Sequence, residues 1–96
     1  MKNLIVTADD YGVFPSVNQG VKDAIKNGKV NSVACISNYK DSVKNVKDLM
    51  NEFGDRIEIG CHLTISSGEA LTVQNHDAFC YGKVFRPFSN LNIDAI

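Results

Sequence analysis

The stretch Asn3-Leu4-Ile5-Val6-Thr7-Ala8-Asp9-Asp10-Tyr11-Gly12 decides the fold. Residues 3–8 are almost continuously apolar and β-branched, and two acids halt the run. A short unbroken run of this kind predicts a buried parallel strand over Asn3–Ala8 rather than a half-exposed one. Tyr11-Gly12-Val13-Phe14-Pro15 then reads as a loop, with its own Gly and Pro punctuation. Ser16 with Gln19 three residues on predicts an N-cap and capping box. Val17, Val21, Ala24 and Ile25 fall on one helical stripe, and Asn27-Gly28 ends it.

The same alternation repeats downstream. Val30–Ser37 predicts a second strand. Val43, Val46, Leu49, Met50 and Phe53 predict a second helix, with Lys40, Lys44, Lys47 and Asp48 on its wet side. Gly54-Asp55 ends that helix. In the third strand, Arg56–Thr64, Ile57, Ile59, Cys61 and Leu63 alternate with Glu58, Gly60, His62 and Thr64, so His62 faces away from the apolar set. The order is βαβαβ with short connections, which favours an α/β fold with a parallel sheet and right-handed crossovers. Beyond Thr64 the pattern weakens. Ser66-Ser67-Gly68 is a loop, 74–77 is polar, and Tyr81–Phe88 has room for a short strand or turn.

Composition removes several function classes. The 96 residues carry 10 basic and 11 acidic side chains, a net charge of −1, and are 44% hydrophobic. No apolar run approaches the about 18 residues of a membrane helix, and the first residues lack the form of a signal peptide. A near-neutral charge gives no footprint for nucleic acid. Three cysteines, Cys35, Cys61 and Cys80, are too few and odd in number for a disulfide scaffold. Free thiols in a reducing, cytoplasmic compartment are the reading. A zinc set of Cys61, His62, His76 and Cys80 lacks the paired spacing of such sites. No G-x-G-x-x-G, phosphate loop or G-x-S-x-G elbow occurs. Cys61 and His62 point to opposite faces of their strand, a poor arrangement for a nucleophile and its base.

In parallel α/β folds, functional groups collect at the C-terminal ends of strands. Asp9 and Asp10 end strand one, Asn38 follows strand two, and His62 lies near the end of strand three. If the strands are neighbours, two carboxylates and an imidazole converge on one rim. A carboxylate and a neutral imidazole are ordinary ligands of a divalent metal, and a second carboxylate is free to act as a base. Plainer readings stand beside this one. Adjacent aspartates also cap helices, a histidine on a strand is often structural, and Asn38 also reads as a turn residue.

Several motifs in register carry a resemblance. Leu4-Ile5-Val6-Thr7-Ala8-Asp9-Asp10-Tyr11-Gly12, followed by Val17-Asn18-Gln19-Gly20-Val21, is similar to the N-terminal signature of the YdjC/ChbG-like carbohydrate deacetylases. Gly28-Lys29-Val30-Asn31-Ser32 resembles that family's entry to strand two, and Ile59-Gly60-Cys61-His62-Leu63-Thr64 its I-G-x-H segment. Gly68-Glu69-Ala70-Leu71-Thr72 and Gly82-Lys83-Val84-Phe85 resemble the segments that follow. The similarity spans about residues 3–88. It implies a TIM-like (β/α) barrel enzyme that removes N-acetyl groups from sugars such as chitooligosaccharides. The cofactor would be a divalent metal ion (Mg or Zn) held by one Asp and two His. By position, Asp10 and His62 would be metal ligands and Asp9 the general base. The family's second ligand His falls in a later motif, and His76 does not match it.

A (β/α) barrel takes about 250 residues, so 96 make about two-fifths of one. The expectation is a single partial barrel domain over 1–96, the N-terminal portion of the deacetylase domain. It would be inactive alone or dependent on assembly, with self-association covering its open sheet edges. The alternative is a non-catalytic α/β module that binds a sugar or a partner and self-associates.

Overall fold

The computed structural model describes residues 3–72, 78–87 and 89. The chain divides into two compact units, residues 1–62 and 63–96. The first is a three-stranded parallel sheet in the order β1 (Thr7–Tyr11), β2 (Ser32–Ile36), β3 (Glu58–His62). Two helices make the crossovers, α1 (Pro15–Lys26) and α2 (Ser42–Phe53), and a single 3-10 turn at Gly54–Arg56 leads into β3. The expected βαβαβ order is present. No helix among the described residues is long and apolar enough to cross a membrane.

The core lies between the sheet and its helices. Val33 and Cys35 of β2, Val21 and Ile25 of α1, and Leu49 and Phe53 of α2 are buried together with Tyr11 and Ile57. Leu49 and Val33 are wholly removed from water, and each such side chain contributes about 1.5–3 kcal/mol of burial free energy. Register assigns the faces. Ala8 pairs with Val33, and Ile59 and Cys61 pair with Val33 and Cys35. These residues therefore share the helix-covered face, and Thr7, Ala34, Gly60 and His62 take the other. Lys22 and Lys26 of α1 both reach Glu52 of α2, at 2.8 and 3.3 Å, and clamp the two helices.

Three expectations change. The first strand is displaced toward Tyr11 and includes both aspartates. Residues 4–6 are instead held by Asn31, whose side chain accepts from the Val6 N–H and donates to the Leu4 carbonyl, both at 2.8 Å. Among the described residues β1 is also an edge strand, and Leu4 and Ile5 just before it are 77% and 70% exposed. The unbroken apolar run misled because burial needs a neighbour on both edges and faces. Helix α1 starts at Pro15 with Phe14 at the cap, and no side chain caps it. Proline at the first helical position fixes φ and has no N–H to satisfy, so the Ser16–Gln19 box is not needed. Gln19 instead donates to Asp23. The C-terminal end is as expected. Gly28 at φ +70° lets its own N–H reach Ile25 and the Lys29 N–H reach Ala24, a Schellman closure.

In the second unit, β4 (Cys80–Tyr81) and β5 (Val84–Phe85) form an antiparallel hairpin. Gly82, at φ +63°, occupies the first turn position, where a type II′ turn demands it. Gly68-Glu69-Ala70 lies alongside, with the Ala70 N–H on the Lys83 carbonyl and the Phe85 N–H on the Gly68 carbonyl. Arg86 stacks over Tyr81 at 4.3 Å and donates to the Cys80 carbonyl. Phe88, the last residue of the expected Tyr81–Phe88 segment, lies outside the described residues, as does the whole polar 74–77 stretch with His76.

Candidate functional site

An interruption of strand register builds the site. Ala8 pairs with Val33 and Tyr11 with Cys35, so three steps along β1 match two along β2. Strict alternation from Ala8 would turn Asp10 into the apolar face beneath the helices. The bulge removes that conflict. Asp10 takes the left-handed conformation at φ +63°, its carboxylate leaves the core, and Tyr11 fills the vacated place at 2% exposure. Aspartate is among the few side chains that tolerate this backbone. Val13 N–H returns to the Asp10 carbonyl at 3.2 Å. Gly12 follows at φ +104°, and its N–H donates to Asn18 Oδ1 of α1 at 2.6 Å.

His62 is the last residue of β3 and pairs with Ile36, the last of β2. Its imidazole therefore stands at the C-terminal rim, on the face away from Cys61. Asp10 reaches over the end of β2 to meet it, with Oδ1 3.3 Å from His62 Nδ1. His62 Nδ1 is buried and has no aligned hydrogen bond, so the contact is a close approach of a ring nitrogen and a carboxylate oxygen, two atoms able to ligate a metal. Two ligands of one divalent ion, each about 2.0–2.2 Å from it, lie about 3 Å apart. The Asp10–His62 pair fits that requirement. Among the described residues, no third His, Cys, Asp or Glu joins them.

The other sequence candidates are spread more widely. Asp9 lies exposed within the same register shift, one residue before Asp10. Asn38 is half-buried in the bend after β2. Cys61 lies on the helix side of β3, where it lines a groove of about 500 Å³ with Val43, Val46, Met50 and Ile59. All three cysteines are free. Burial pushes the Cys35 thiol above its ordinary pKa, with Cys61 adding to it, so Cys35 is no nucleophile. Burial likewise raises the Tyr11 phenol against the opposing pull of Lys22. The zinc set of Cys61, His62, His76 and Cys80 is not assembled among the described residues. Cys61 and His62 face opposite ways, and His76 lies outside those residues.

Two further residues, Asn18 and Asn45, flank the corner at Gly12. Asn18 appeared only within a longer motif. Asn45 brings its Nδ2 within 3.2 Å of where a Cβ on Gly12 would stand. The sequence signal for Asn18 was its place in the first turn of the helix that follows Asp-Asp-Tyr-Gly.

The family model described as YdjC-like protein matches residues 3–86. This chain belongs to the YdjC-like family. A carbohydrate deacetylase of Thermoanaerobacter pseudethanolicus is 38% identical over 74 residues, 75% of this chain and 28% of that protein. A carbohydrate deacetylase of Danio rerio is 32% identical over 88 residues, 84% of this chain and 27% of that protein. A chitooligosaccharide deacetylase of Yersinia pestis is 34% identical over 71 residues, 74% of this chain and 27% of that protein. The YdjC-like chain thus spans little more than a quarter of these relatives. No solved structure matches it.

Proposed function

We propose that this chain is part of a metal-dependent carbohydrate deacetylase, hydrolysing the acetamide of N-acetylated sugars such as chitooligosaccharides. The carrying observation is the approach of Asp10 Oδ1 to the buried Nδ1 of His62 at a parallel-sheet rim. Family membership and the names of the relatives support the substrate class. On this reading, residues 1–96 contribute one part of a (β/α) barrel, in a reducing cytoplasmic setting suited to three free cysteines.

The chemistry divides among three side chains. Asp10 and His62 would hold a divalent ion such as Mg or Zn. When bound, such an ion supplies Lewis acidity to the acetamide carbonyl. Asp9 accepts the proton of the attacking water at a carboxylate oxygen. The new C–O bond forms, the C–N bond breaks, and the proton passes to the departing amine. The products are acetate and the free amino sugar.

Two donors hold an ion less firmly than three, so this chain alone should turn over little. Titration with Zn²⁺ tests the site. Binding at micromolar concentration, lost in both Asp10→Ala and His62→Ala, supports it; binding indifferent to both changes removes the metal assignment. An assay on N-acetylated chitooligosaccharides with added Mg²⁺ or Zn²⁺ tests dependence on assembly, and robust turnover by the isolated chain would refute it.

The second reading is a non-catalytic α/β module that binds a sugar or a partner and self-associates. The groove beside β3 favours it, because Val43 and Met50 of α2 stand 66% and 57% exposed there. Metal binding that survives neither ligand substitution decides for the enzyme reading.

A further inference from the structure

We propose that Asn18 is a positioning residue for the Asp10–His62 pair, acting through the Gly12 amide. The structural half of this inference stands by itself; its metal arm rests on the function proposed above.

The corner at residues 10–12 contains two positive φ angles, +63° at Asp10 and +104° at Gly12. A non-glycine residue keeps such a conformation only where its surroundings over-determine it. Three contacts do so here. Tyr11 is buried between them. The Asp10 carbonyl accepts from Val13 N–H. Gly12 N–H donates to Asn18 Oδ1 at 2.6 Å, the hydrogen bond that ties the corner to α1 beside the apolar packing of Tyr11.

Asn18 is itself firmly placed. Its backbone N–H donates to the Phe14 carbonyl at 3.1 Å, closing the first turn of α1 behind Pro15. On the other side of Gly12 stand Asn45 Nδ2 and the Ile36 carbonyl, 3.2 and 3.8 Å from the position of a Cβ. A side chain at position 12 would crowd Asn45 and the end of β2, and Asn18 holds the glycine that stands there by its amide. Without an acceptor at position 18, the Gly12 amide turns to water and the kink relaxes. The Asp10 side chain, 58% exposed, then leaves His62.

Nuclear magnetic resonance on the full chain, without metal, tests this. In the unaltered protein the Gly12 amide should exchange slowly and show through-bond coupling to the Asn18 side-chain carbonyl. Asn18→Leu, which keeps the bulk and removes the acceptor, should lose the proximity signals between Asp10 and the His62 ring while those from Tyr11 to the core persist. Asn18→Asp, which restores an acceptor, should keep them. A role in stability alone would lower the melting temperature of Asn18→Leu and leave those signals in place. Zn²⁺ affinity should fall about 10- to 100-fold in Asn18→Leu, the usual cost of losing a group that orients a metal ligand, and recover in Asn18→Asp.

Asp10–His62 signals retained in Asn18→Leu, or lost equally in both variants, would overturn the proposal. A freely exchanging Gly12 amide in the unaltered chain would also overturn it, and that measurement decides if Asn18→Leu does not fold. If the unaltered chain binds no Zn²⁺, the metal reading falls while the proximity signals still decide the role of Asn18.

Discussion

Asp10 owes its chemical availability to its backbone. In the extended conformation it would place a carboxylate beside Val33 and Cys35 in the place that Tyr11 now fills, and an unpaired buried charge costs several kcal/mol. At φ +63° it gives up about 1–2 kcal/mol of backbone energy instead. The smaller cost wins, and the carboxylate is freed for His62. Gly12 is the second requirement of the corner. Gly12→Ala would place a Cβ 3.2 Å from Asn45 Nδ2 on a backbone at φ +104°. We expect it to destabilise the chain by about 1–3 kcal/mol, read as a lower urea midpoint with unchanged slope. A loss below a few tenths would show that the corner is pliable.

At the scale of elements, the two helices are joined on one face of the sheet by one acid between two bases. The Lys22 ammonium, hydrogen-bonded to Glu52, holds that carboxyl below its ordinary value of 4.5, with Lys26 assisting. Glu52 in turn raises Lys22 above 10.5. A lowered acid contributes stability that is fully present above its unfolded value and lost as pH falls through the folded one. A raised base contributes below its unfolded value and loses it as pH rises. The clamp therefore acts between those limits. Its worth is modest, because the three side chains are part-exposed and screened by salt. Glu52→Gln should lower the melting temperature slightly near neutral pH, and the difference from the unaltered chain should vanish well below pH about 4. A difference that persists in acid would show that Glu52 acts through packing. Asn31 works at the same scale, since its side chain stands in for a strand neighbour at Leu4 and Val6.

For the whole molecule, the consequence of three strands is exposed apolar surface. Among the described residues, β1 and β3 are the sheet's edges, and Leu4, Ile5, Val43 and Met50 are all more than half exposed. Open edges beside apolar surface invite association. We expect the isolated chain to self-associate through the α2–β3 groove, and Met50→Lys to shift it toward monomer in sedimentation equilibrium. A monomeric unaltered chain would contradict the association, and an unchanged state in Met50→Lys would exclude this groove as its seat.

Much of this was legible in the sequence because its physics is local. The 3.6-residue stripe of Val17, Val21 and Ile25, the Gly28 closure and the alternation around His62 depend on near neighbours. They sufficed for the βαβαβ order and for placing Asp10 and His62 at strand ends, while their role as ligands came from the resemblance and stays a proposal. The α2 stripe was legible only in part. Leu49 and Phe53 are buried and Val46 partly so, yet Val43 and Met50 face outward. By itself, the sequence determined the kinds of element, their order and which polar side chains stand at the strand ends. The tertiary structure alone decided the bulge, the burial of Tyr11, the reach of Asp10 across β2 and the grip of Asn18 on Gly12. A bulge is a mismatch between two strands, and a strand read without its partner has no register to break.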